Sequence, residues 1–173
     1  MKYLIYKGTG GIAHMLNGIQ YAVQLSKKEN RILIIDTKQL IAFNKKFCEY
    51  FFIYDKNLTY YTDYEQIDLN LNFNGIKISD LITKKAQLKG KKYFLENTNI
   101  QIEDQKDNEK NNIIRVFAGH SDCFIENMRL QNHILYDIFD NTHKIIEKHN
   151  RYISVHFRNT DLKNDIKQYI IKI

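Results

Sequence analysis

Residues 2–36 read KYLIYKGTGGIAHMLNGIQYAVQLSKKENRILIID, and this stretch decides the fold. Residues 2–6 form an apolar run of strand character, and residues 7–11, KGTGG, form a tight turn. Ile12, Leu16, Ile19, Ala22 and Val23 then recur at helical spacing up to about Lys28. Residues 31–35 return as a second apolar strand, closed by Asp36. Strand, glycine turn, helix and strand within 36 residues make a βαβ unit, which implies a parallel sheet with a right-handed crossover. The expected class is therefore α/β, a mostly parallel sheet flanked by helices, with the first strand near its middle because the unit begins there.

Beyond this unit the pattern is weaker. Residues 40–52, LIAFNKKFCEYFF, suggest a helix with an aromatic face that belongs to the core. Residues 70–74 alternate as a strand would, Ser79 and Asp80 suit the cap of a short helix, and residues 96–112 end in a charged, amide-rich surface excursion. Residues 113–117 resume as a strand leading to the turn Ala118-Gly119-His120. Residues 127–149 are the longest predicted helix, with Leu130, Ile134, Ile138, Ile145 and Ile146 near one side and Asn141-Thr142 as a point of interruption. Residues 151–157 are predicted as a strand and residues 164–173 as the start of a helix.

A chain of 173 residues with 43% hydrophobic content can bury one sizeable core, and a two-domain enzyme would be cramped in it. The apolar run at residues 3–6 is too short for a signal peptide and no later stretch could span a bilayer, so a cytoplasmic location is expected. Cys48 and Cys123 lie far apart in no metal-like spacing, which suits unpaired thiols in a reducing compartment. The net charge is +6, with Lys, Asn, Ile and Tyr abundant and Pro and Trp absent, as the codon bias of an AT-rich genome would produce. The densest basic run, residues 84–92 (KKAQLKGKK), lacks arginine and interleaved aromatics. It reads as a solvated loop or helix face rather than a phosphate-backbone contact, and no nucleic-acid partner is expected.

Two stretches carry chemistry. In residues 7–18, KGTGGIAHMLNG, successive glycines let the chain turn sharply out of the strand and let a ligand approach the amides at the helix N-terminus, where the dipole favours anions. Gly8, Gly10 and Ala13 also satisfy the G-x-G-x-x-A form of a dinucleotide fingerprint, and Asp36 ends the second strand where a ribose-binding acid would sit. The plain alternative is that any strand-to-helix turn needs glycines and that Asp36 only closes a strand. In residues 154–165, SVHFRNTDLKND, Arg158 follows a strand's carboxyl end, where its guanidinium could grip a diphosphate through two parallel hydrogen bonds. There it would stabilise the negative charge that builds on a departing phosphate. The plain alternatives are an Arg158 paired with Asp161 or Asp165 on the surface, a core His156, and helix capping by Thr160 and Asp161.

Together, "GTGGIAHML" and "HFRNTD" resemble the fucosyltransferase superfamily, which includes bacterial α-1,2- and α-1,6-fucosyltransferases and protein O-fucosyltransferases. Gly10, Gly11, Ile12 and Leu16 match the family's turn G-G-L-G-N-[RQ]-L, with Ala13 and His14 in place of its third glycine and asparagine. His156, Arg158 and Asp161 match its H-x-R-[R/x]-x-D motif, with Asn159 where many members have another arginine. The resemblance implies a Rossmann-like amino-terminal domain of a GT-B glycosyltransferase, inverting and metal-independent, in keeping with the lack of a D-x-D signature. It implies a GDP-sugar donor, GDP-fucose above all, with no further cofactor and no metal, and a glycan acceptor that could hold the protein at the periphery of a membrane. Arg158 would be catalytic, and Gly10, Gly11, His14, His156, Arg158 and Asp161 would bind substrate. Residues 1–149 would be the acceptor-side domain and residues 150–173 the first strand and helix of a truncated donor-binding domain, so that this chain alone turns over slowly or not at all.

Three other readings stay open at this level. A nicotinamide-dependent oxidoreductase uses the glycine turn and Asp36 but leaves HFRNTD idle. A hydrolase built on Gly119-His120-Ser121-Asp122-Cys123 asks sequence neighbours to converge in space, which they rarely do. A non-catalytic remnant would bind a partner or nothing.

Overall fold

The computed structural model describes residues 1–37, 46–62, 70–102, 113–119 and 123–148, without the side chains of 145–147. In chain order its first elements are β1 (Tyr3–Lys7), α1 (Ile12–Glu29), β2 (Ile32–Asp36), α2 (Phe47–Tyr50), β3 (Phe51–Ile53) and β4 (Tyr60–Tyr61). There follow β5 (Asn72–Phe73), β6 (Ile76–Lys77), α3 (Ile78–Thr83), β7 (Ala86–Lys89), β8 (Lys92–Leu95) and β9 (Gln101–Ile102). The last are β10 (Ile114–Ala118), β11 (Met128–Leu130) and α4 (Asn132–Lys148). The chain divides into two compact units, Met1–Ile134 and Leu135–Ile173.

The centre of the first unit is a four-stranded sheet in the order β10-β1-β2-β4, parallel throughout. The mixed α/β class and the internal place of the first strand are as the βαβ unit predicts. β1, β2 and β10 are buried on both faces, which is why they read as continuous apolar runs rather than alternating ones. Period-two alternation still divides their side chains. Leu4, Tyr6, Leu33, Ile35 and Phe117 face α1, whose Met15, Ile19, Ala22 and Val23 meet them. Ile5, Ile34, Ile114 and Val116 face α3 and the hairpins, through Ile78, Leu81 and Leu95. Each such Leu or Ile contributes about 1.5–3 kcal/mol when fully buried.

The two faces follow from the order of the strands. The chain steps outward from β1 to β2 to β4 and then returns to the other side of β1 as β10. Right-handed crossovers in opposite directions must lie on opposite faces, so α1, α2 and β3 cover one and residues 70–102 the other.

Between these strands the periodicity misleads in several places. Phe51 and Phe52 lie in β3, which pairs antiparallel with β11, and not in a helix; their extended backbone begins at the end of the short α2. Met128, Arg129 and Leu130 are that partner strand, so the long helix begins at Asn132 and runs unbroken past Asn141 and Thr142. The Thr142 hydroxyl donates to the Ile138 carbonyl at 2.7 Å, one turn back, and so leaves the helix intact. α3 exists, but its cap is Lys77, and Ser79 and Asp80 lie in its first turn. Residues 86–89 and 92–95 are the strands of a hairpin, where the basic composition suggested a loop or helix face. Residues 40–45, 103–112 and 149–173 lie outside the described residues, so the predicted strand 151–157 and helix 164–173 do too.

Candidate ligand site at the carboxyl edge of the sheet

β1 is the strand at which the chain reverses direction, so the crevice at the carboxyl ends of β1 and β10 is the topological switch point where open α/β sheets collect ligands. Two turns meet there. Residues 8–11 leave β1 for α1, and Gly119 leaves β10.

The Gly8 N–H still donates to the Asp36 carbonyl at 2.9 Å, prolonging the ladder by one residue before the chain turns. Gly10 then takes φ +71°, a conformation an L side chain adopts only with strain. Gly11 is the N-cap of α1, extended, with no side-chain cap and no acidic residue in the first helical turn. A Cβ added to Gly11 would meet no atom within 4 Å. The fold therefore needs glycine at position 10 but has no steric need for it at position 11, where the absent side chain leaves open space before the helix amides. Ile12, Ala13 and His14 are exposed around it, with the His14 ring beside Gly10. Chemically this is an opening for an anion: a helix N-terminus without a side-chain cap, a favourable dipole and no acidic residue in the first turn.

Beneath the opening the two turns are locked together. Tyr6 projects from β1 and its hydroxyl lies 3.3 Å from the carbonyl oxygens of both Met15 and Gly119. Burial pushes its phenol far above the ordinary range, so it stays a protonated donor. Gly18 packs directly on this junction, where a Cβ would come within 2.3 Å of the Tyr6 hydroxyl and of the Gly119 carbonyl. On the other side the Lys7 ammonium, buried, donates to Asp36 Oδ2 at 2.8 Å and to the carbonyls of Leu81 and Lys84 at 2.5 and 2.8 Å. One side chain thus joins the ends of β1 and β2 to the carboxyl end of α3.

The segment that follows the second turn is anchored to α1 by Gln20, which is fully buried. Its carbonyl accepts the N–H groups of Glu126 and Asn127 at 3.1 and 3.2 Å, and its amide donates to Asn127 Oδ1 at 3.0 Å. Sequence reasoning passed over Tyr6, Gly18 and Gln20. Gly18 carried a signal, since a glycine inside a helical pattern costs about 1 kcal/mol relative to alanine and usually marks close packing.

Of the residues expected to bind substrate, Gly10, Gly11 and His14 come together at this edge. His156, Arg158 and Asp161 lie outside the described residues, as do Thr160, His120, Ser121 and Asp122. Cys48 and Cys123 are free thiols. Among the described residues no three His, Cys, Asp or Glu side chains are grouped to hold a metal ion, and no helix is long and apolar enough to cross a membrane. A cavity of about 370 Å³ lies at the opposite, amino edge, between the end of α1 and the starts of β1 and β2, lined by Lys2, Ser26, Lys27 and Arg31 among others. Of its cations, Arg31 shares the Glu29 carboxylate with Arg115 of β10, and Lys27 pairs with Asp55 at 2.7 Å.

The fold and this edge define an α/β protein with a glycine turn opened at a switch point. Comparison of the chain with protein families, with curated proteins and with solved structures finds no match.

Proposed function

We propose that the carboxyl edge binds a phosphate-bearing ligand, and that the chain is the Rossmann-like, acceptor-side part of a GT-B glycosyltransferase of fucosyltransferase type, using a GDP-sugar donor and a glycan acceptor. The observation that carries the reading is Gly11: an N-cap facing open space above acid-free helix amides, at the switch point between β1 and β10. In the transferase, Arg158 would grip the diphosphate and stabilise its departure, with His156 and Asp161 beside it. The nicotinamide alternative asks Asp36 to receive a ribose hydroxyl. That carboxylate is buried and already accepts from Lys7 at 2.8 Å, which favours the sugar-nucleotide reading.

Calorimetric titration tests this. GDP and GDP-fucose should bind better than NADH, and EDTA should leave binding unchanged. Gly11→Val should weaken GDP binding at least tenfold while the thermal melt stays close to wild type, because the added atoms enter open space. Arg158→Lys should weaken it by a similar factor through loss of the two-pronged contact. Preference for NADH, or a Gly11→Val protein with unchanged GDP affinity, would overturn the proposal.

A further inference from the structure

We propose that the hairpin of β7 and β8 is a docking element for an anionic bilayer surface. Residues 84–92 hold five lysines, and the hairpin concentrates them. Gly90, at φ +65°, and Lys91 form a two-residue turn, which sets Lys89 directly opposite Lys92 with Lys91 at the tip between them. Like charges directly opposite on paired strands destabilise the pair, and the turn itself requires only the glycine. Beyond a contact of Lys89 with the Phe94 ring, the hairpin has no structural need for three ammonium groups in four residues.

Nor are they neutralised among the described residues. Lys7, Lys27 and Lys144 each pair with an aspartate. Lys85, Lys89, Lys91 and Lys92 are exposed and have no ion-pair partner among the described residues, and Lys89 lies over the Phe94 ring, 5.6 Å from its centre. The neighbouring acid, Glu96, is turned to the Gln87 amide at 3.3 Å and to the Lys85 N–H at 3.4 Å. Beside the tip Leu88 is 58% exposed, an apolar side chain carried on the same hairpin as the charges.

The chemistry favours a bilayer over a nucleic acid. Lysine is a hydrated point charge suited to a diffuse layer of phosphate headgroups, whereas base reading uses arginine forks and strand binding uses open aromatic faces. The run has no arginine, and Lys89 covers the Phe94 ring. Leu88 supplies the apolar contact that a headgroup layer accepts. The inference is independent of the transferase reading.

Co-sedimentation of the 173-residue chain with vesicles of phosphatidylcholine, with and without one third phosphatidylglycerol, tests it. Binding is expected only to the anionic vesicles and should fall steeply as salt is raised. Lys89→Gln/Lys91→Gln/Lys92→Gln should lower partitioning by roughly a hundredfold, and Lys91→Gln alone by about fivefold. Lys28→Gln/Lys56→Gln/Lys148→Gln, with the same change in net charge at other exposed sites, should lower it far less. Relief of the repulsion should leave the hairpin variants melting at or slightly above wild type. Equal loss in both triple variants, or no preference for anionic vesicles, would overturn the proposal. So would tighter binding to duplex DNA or RNA that persists at salt releasing the vesicles.

Discussion

At the scale of single residues, the glycine-rich stretch separates into positions with different physical demands. Gly10 is required by its backbone angle, Gly18 by what touches it, and Gly11 by neither. Gly18→Ala would gain about 1 kcal/mol of helix propensity. It would also drive a methyl group to 2.3 Å from a backbone carbonyl that cannot rotate away, at the one point where α1, Tyr6 and the turn after β10 meet. We expect a net loss of about 1–3 kcal/mol in urea unfolding, the usual range for overpacking. A Gly18→Ala protein as stable as wild type would mean that the two turns can separate without cost. The contrast with Gly11→Val, for which no loss of stability is expected, divides the motif into a folding part and a binding part.

At the scale of elements, the Lys7–Asp36 pair holds β1, β2 and α3 in one arrangement. Both side chains are almost fully buried, and the ammonium's three named partners come from β2, α3 and the residue after it. Lys7→Met would leave the Asp36 carboxylate buried without its cation, and a loss of about 3–5 kcal/mol is expected. Lys7→Met with Asp36→Leu should recover much of that loss, because two apolar side chains carry no unpaired charge. Denaturant midpoints of the three proteins check this; a double variant no better than the single would show that the lysine's bonds to Leu81 and Lys84 matter more than the charge pair. The pair also joins the strand ends that flank the glycine turn, so these variants report on the scaffold of the candidate site and not on ligand contact.

At the scale of the whole molecule, stability should fall on the acid side. The Lys27 ammonium beside Asp55, helped by the Asn57 N–H, holds its carboxyl below the ordinary 3.8. A group whose folded value is depressed contributes stability that is fully present above the unfolded value and is lost as pH falls through the folded one. The loss from this site is therefore expected below about pH 4. Asp55→Asn should be less stable than wild type at neutral pH and should show a shallower decline below about pH 4, as read from urea midpoints across the series. Parallel curves for the two proteins would place the acid sensitivity elsewhere.

The sequence by itself determined the βαβ unit, the parallel sheet and the internal place of β1, because two continuous apolar runs on either side of a glycine turn and a 3.6-residue apolar period survive any reading of the rest. It also exposed Gly10, Gly11 and His14 as a group, since they are neighbours in the chain. It misplaced the start of the long helix and turned β3 into helix, because Phe51–Ile53 and Met128–Leu130 pair with each other across more than seventy residues, and a local period cannot register a distant partner. Tertiary structure alone decided that Lys7 would occupy Asp36, that Gly18 would sit on Tyr6 and Gly119, and that a basic run would become the tip of a hairpin. Each of these depends on which strand ends are neighbours in space, and that is fixed by the reversal at β1 rather than by any short stretch of residues.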